Sequence, residues 1–127
     1  MKIIKRETIT PTDLPGRRIW KTVGRDSFSD SEKITFGFAY FSAKIDSTEP
    51  HHHAEEICYV LDARNAWVHF GAQQDQLGAL FELEKGMTLH IPSLEWHQFV
   101  CKEDGYLDIV FIYGQVDNIR PEEMTVK

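Results

Sequence analysis

The chain's 127 residues are 42% apolar and include three Trp, four Tyr and eight Phe, enough for one domain with a buried core, too few for two, and unlike a disordered polymer. A formal net charge of −6 and a pI near 5.4 repel phosphate backbones, and the basic groups Arg17-Arg18 and Lys2, Lys5 and Arg6 are short and lie among strand-like residues, which argues against a nucleic-acid partner. No stretch has membrane-spanning length, the N-terminus lacks a signal peptide's apolar run, and Cys58 and Cys101 form no CxxC pair, so no membrane role and a soluble, cytoplasmic protein are expected.

In chain order, residues 2–9 and 17–23 are short, β-branched or aromatic, and divided by Pro11, Pro15 and Gly16, so both are predicted strands. Residues 34–43 alternate large with smaller side chains, as a strand with two different faces does. After a turn at 46–50 come predicted strands at 57–63, 66–70, 79–83, 87–91, 96–101 and 107–114, with a polar loop at 72–78. About nine short strands at this spacing, with no helical periodicity held over three turns, predict an all-β sandwich or barrel. Closing two antiparallel sheets into a jelly roll protects the sheet edges and creates a mouth where residues distant in sequence meet. The tail at 118–127, with Pro121 and two glutamates, is expected to drape over the surface or reach a partner chain.

The chemistry is concentrated in Pro50-His51-His52-His53-Ala54-Glu55-Glu56, which runs into the apolar Ile57-Cys58-Tyr59-Val60-Leu61, and in a distant His97 that follows Gly86 and Pro92. Imidazoles and a carboxylate at one strand entrance, met by another imidazole from a remote strand, are the residue types of a divalent-metal site. A lone His97 would more often be a hydrogen-bonded structural residue, and a surface run of histidines is commonly just solvated; their joint occurrence with Glu56 favours an ion.

These segments resemble the two motifs of the cupins. The first motif reads Gly-x5-His-x-His-x3-4-Glu-x6-Gly and is matched by His51 to Glu56 with Ala63 at its closing position; the second reads Gly-x5-Pro-x-Gly-x2-His-x3-Asn and is matched by Gly86, Pro92 and His97. The first motif lacks its opening glycine, Ala63 replaces the closing one, Leu94 stands for the glycine of the second motif, and Cys101 for its asparagine. With Glu56 as the carboxylate, His53 lies one residue closer than the pattern. His51 with His53 keeps the separated pair, whereas His52 keeps the usual distance to Glu56. We favour His51 and His53, because residues two apart on an extended segment point the same way.

The resemblance implies a single cupin domain over 1–127, a double-stranded β-helix or jelly roll, with motif one around 51–63 and motif two around 86–101. It implies one divalent ion held by His51, His53, Glu56 and His97, with His52 a substitute for one of the first two; Fe, Mn, Ni, Co, Zn and Cu are not distinguished by affinity order. Open coordination positions on such an ion suit either O2 activation or polarisation of a hydroxy-carbonyl. Metal-dependent chemistry on a small molecule is therefore expected, with a non-haem dioxygenase placed ahead of a sugar or keto isomerase, epimerase or lyase. The contrasting class is a non-catalytic cupin that binds a small metabolite.

Strand parity adds a pocket. If Glu56 faces inward, Cys58 and Val60 do too, and an inward His97 brings Phe99 and Cys101 with it. Cys58, Val60 and Phe99 are thus candidate pocket residues, Val60 and Phe99 being more simply read as core. Tyr40 and His90 join them by residue type, and with Glu55 are candidates to orient the ligands. Ile57, Tyr59 and Leu61 would face outward and need cover, which a homodimer packed sheet against sheet supplies.

Overall fold

The computed structural model describes residues 1–45 and 54–114. The triple histidine and the tail at 118–127 lie outside the described residues. Among the described residues seven strands form one antiparallel sheet: β1 (Thr12–Leu14), β2 (Arg17–Val23), β3 (Ile34–Ser42), β4 (Glu56–Gly71), β5 (Ala79–Glu82), β6 (Thr88–Ile91) and β7 (Trp96–Gly114). Their order is β1-β2-β3-β7-β4-β5, with β6 also pairing to β4.

The predicted strand at 2–9 does not form. A short 3-10 turn occupies Arg6–Thr8, and the Arg6 guanidinium instead makes two hydrogen bonds to Asp108, at 2.7 and 3.0 Å, while lying 4.0 Å above the Trp20 ring. A side chain that gains a bidentate ion pair and a cation–π contact together fixes its segment against the sheet without a ladder. The short β1, hidden in the sequence between two prolines, takes the edge position beside β2.

The other departure concerns β4 and β7. Each was expected as two strands, and each is one long strand that passes through a bend. The first part of β4, at 56–64, pairs with 106–113 of β7 and with β6; its second part, at 66–71, pairs with 96–101 of β7 and with β5. Register shifts between Val60 and Asp62 and between Arg64 and Ala66, with left-handed backbone at Asn65 and Glu103, mark the corner. Extra residues of this kind bend and twist a strand. Gly105 completes the corner, because a Cβ there would stand 2.6 Å from the carbonyl oxygens of both Arg64 and Asn65. The sheet thereby folds over, and its inner faces enclose a core that includes Phe41, Val60, Ala66, Leu107 and Ile109. Burial alternates along β3, β4 and β7, as period-two side-chain placement requires.

Candidate metal centre

Glu56 opens β4 on the inner face. It is 7% exposed and is followed on that face by the fully buried Cys58 and Val60, while Ile57 and Tyr59 between them are nearly half exposed. His97, the second residue of β7, is 1% exposed and precedes the buried Phe99 on the same face. The fold brings Glu56 Oε1 to 4.0 Å from His97 Nε2. That separation exceeds a hydrogen bond and is within the combined length of two metal–ligand bonds of roughly 2.0–2.2 Å each. Carboxylate oxygen and imidazole nitrogen are also the donor types that divalent ions take, so these two residues fit such an ion. Among the described residues no group of three or more His, Cys, Asp or Glu side chains is placed to hold one ion. Of the four expected ligands the structure thus brings two together, and His51, His52 and His53 fall outside the residues it describes.

The orientation of each donor has a cause. His97 Nδ1 lies 2.9 Å from the carbonyl oxygen of Glu95. A carbonyl only accepts, so Nδ1 carries the proton, and in the neutral ring the Nε2 lone pair points toward Glu56, the arrangement typical of a ligating histidine. On the other side, the Cys58 thiol donates to Glu56 Oε2 at 3.3 Å. Burial first, and the neighbouring carboxylate second, push the Cys58 thiol well above its ordinary range.

Two polar residues in this region were not foreseen. Thr35 and Tyr113 are register partners, Tyr113 is in turn the partner of Glu56, and both are almost fully buried. Their row, read across β3, β7 and β4, could have been found in the sequence only by knowing the strand pairing, because neither belongs to a motif.

Beside His97 lies a cavity of about 290 Å³ between the two halves of the sheet, walled by Val68, Phe70, Leu83, Leu89 and Ile91 and edged by Glu82 and Glu95. Of the residues expected in a pocket, His90 borders this cavity, but its imidazole is exposed and 2.6 Å from the exposed Glu55 carboxylate, so that these two hold each other. Cys58, Val60 and Phe99 belong to the buried core. Tyr40 is corrected: the buried positions of β3 are its neighbours Ala39 and Phe41, and the Tyr40 ring stacks with Tyr106, 6.4 Å away, on the opposite face. Residue type alone suggests Tyr40 for the pocket, and the parity of β3 places it elsewhere.

Left-handed backbone frames the segment that leads to His97. Leu94 adopts φ 68°, the left-handed conformation that a glycine takes without steric cost, and Gly86 retains φ 93°.

No protein-family model matches the chain, and no curated protein matches it. Solved structures do. The polyketide cyclase RemF from Streptomyces resistomycificus is 20% identical with a TM-score of 0.72, over 100% of this chain and 87% of that one. The DMSP lyase DddQ from Ruegeria pomeroyi is 14% identical with a TM-score of 0.69, over 94% and 64%. An RmlC-like cupin from Shewanella frigidimarina is 15% identical with a TM-score of 0.65, over 95% and 94%. At these identities the likeness shows the fold, which is the all-β double-stranded β-helix of the cupins.

Proposed function

We propose that this chain, a cupin by fold, is a metal-dependent enzyme acting on a small, largely apolar molecule that carries an oxygen function. Glu56 and His97 are two ligands of one divalent ion, and His51 and His53 complete the set, with His52 the substitute for either. The observation that carries this reading is the 4.0 Å approach of two buried donors from remote segments. A carboxylate oxygen and an imidazole nitrogen from segments remote in sequence are the donor pair that a divalent ion takes.

Each residue has a stated task. Glu56 supplies negative charge at the ion, and His97 supplies a nitrogen whose tautomer the Glu95 carbonyl fixes. The apolar walls of the adjacent cavity exclude water and take up the hydrocarbon part of a substrate, while Glu82 and Glu95 at its edge disfavour anionic ligands. Bound there, a divalent ion supplies Lewis-acid polarisation of a substrate oxygen. That the similar structures include a cyclase and a lyase supports a non-redox reaction of this type. The dioxygenase reading draws on the same donor set, and oxygen consumption separates the two.

The test begins with metal analysis of protein purified without a histidine tag. About one divalent ion per chain is expected, and His97→Ala should lower its affinity more than about 100-fold, beyond the usual effect of losing an outer-shell partner, in a barrel that stays folded by circular dichroism. Full metal retention in that variant would overturn the reading. Oxygen uptake by iron-loaded protein on diketones, catechols and thiols would move the assignment to a dioxygenase. Stoichiometric binding of a metabolite without product after long incubation would move it to a binding module. We further propose a homodimer that covers the outward Ile57, Tyr59 and Ile112, all more than one-third exposed.

A further inference from the structure

Cys58 stands on the inner face of β4 two residues after Glu56, and its Sγ lies 3.3 Å from Glu56 Oε2. The other carboxylate oxygen, Oε1, is the one that faces His97 Nε2. Both side chains are buried, Cys58 completely, so bulk water does not set the carboxylate's orientation. A carboxylate rotates about a soft terminal torsion and can offer an ion one oxygen or both. A donor fixed on Oε2 selects between these arrangements, since it occupies one oxygen and turns the other toward the imidazole. Because residues two apart on a strand share a face, the thiol can reach this carboxylate without distortion of the backbone.

We propose that Cys58 is a positioning residue for the metal centre, its S–H holding Glu56 Oε2 so that Oε1 is presented to the ion alongside His97. The proposal rests on the metal reading of the site. It goes further by assigning the thiol to the carboxylate and not to the ion, which leaves a donor set of nitrogen and oxygen only. Such a set suits borderline and harder divalent ions over the soft ions that thiolates select. A thiol is a weak donor, so the effect belongs at the low end of what outer-shell partners contribute, about tenfold in metal affinity.

The experiment uses the full chain in a Cys101→Ser background, so that one thiol remains. In metal-free protein, the infrared S–H stretch of Cys58 should lie below that of a solvent-exposed thiol and should shift on Glu56→Gln. Cobalt(II) titration should show no sulfur-to-cobalt charge-transfer band, a loss of about tenfold in affinity for Cys58→Val, and near-normal affinity for Cys58→Ser, which restores a donor. An S–H band unmoved by Glu56→Gln would overturn the hydrogen bond. A charge-transfer band that Cys58→Ser abolishes would make the thiol a ligand, and cobalt binding unchanged in Cys58→Val would remove the positioning role; either result overturns the proposal alone. A protein that binds no cobalt in any form, yet shows the expected infrared shift, would instead overturn the metal reading and the positioning role with it. If Cys58→Val does not fold, the infrared measurement and Cys58→Ser still decide.

Discussion

Glu56 and His97 occupy opposite ends of a single antiparallel ladder. Glu56 is the register partner of Tyr113, His97 is the partner of Phe70, and the strands that carry them run side by side between those points. Their side chains nonetheless approach to 4.0 Å, because the ladder folds over at the corner formed by Asn65, Glu103 and Gly105. The centre is therefore a product of sheet curvature.

Gly105→Ala tests that dependence. The added methyl would stand 2.6 Å from two backbone carbonyls of β4 and 2.8 Å from that of Lys102, so backbone must move. The expected cost is about 1–3 kcal/mol, as for other overpacking changes, read as a lower urea midpoint. Metal affinity should fall as well, although the substitution touches neither donor. Unchanged stability would contradict the close approach.

Leu94→Gly should act in the opposite sense. An L-residue in the left-handed region carries a steric cost of about 1–2 kcal/mol, whereas glycine adds roughly 0.5–1 kcal/mol of unfolded-state freedom. Leu94 is 61% exposed, so little burial is lost. The net expectation is a gain of about 0–1.5 kcal/mol with metal binding preserved, and thermal denaturation of both proteins checks it. A marked loss of stability would show that the Leu94 side chain has a packing role.

Burial raises the half-buried Cys101 thiol from its ordinary 9.0 to about 11. The folded chain then holds this proton more tightly than the unfolded one. Its contribution to stability is complete below pH 9.0 and is lost as pH rises toward about 11. Urea midpoints across that window should fall more steeply for the wild type than for Cys101→Ser. The buried Cys58 shifts in the same direction and supplies a decline common to both proteins. Equal slopes would refute the assignment.

On the outer face, Ile57 pairs with Ile112, and Tyr59 pairs with Val110. Sedimentation should give a wild-type mass near twice the 14.7 kDa chain. Ile57→Glu, which places a charge in the covered face, should sediment as the single chain, because an unpaired buried carboxylate is strongly disfavoured. A monomeric wild type would remove the dimer.

Much of this was legible in the residues. Period-two alternation is enough to put Glu56, Cys58 and Val60 on one face and Ile57 and Tyr59 on the other, and the same parity pairs His97 with Phe99. The breaks expected at 64–65 and 102–106 hold Asn65, Asp104 and Gly105, which are turn-forming types; a bulged corner uses the same residues, and only the pairing of strands distant in sequence tells a turn from a bend. Arg6 misled in a related way. Its neighbours have strand propensity, but its partners, Asp108 and Trp20, are remote, and their contacts override the local preference. Thr35 and Tyr113 were missed for the same reason, since their relation to Glu56 exists only through register.

The corner has one more consequence. From Ala63 back to Glu56 is roughly 20–25 Å of extended strand at about 3.3 Å per residue, and from the same bend at Glu103 back to His97 is about 20 Å of β7, on the segment that pairs with the other half of β4. Each arm is a lever whose fulcrum is the bulge and whose tip is one of the two proposed ligands, so a hinge rotation of only about 2–3° displaces that side chain by about 1 Å over such a length. Substitutions at Asp62, Asn65 or Glu103, remote from both side chains, would therefore change the separation of Glu56 and His97 without altering either residue.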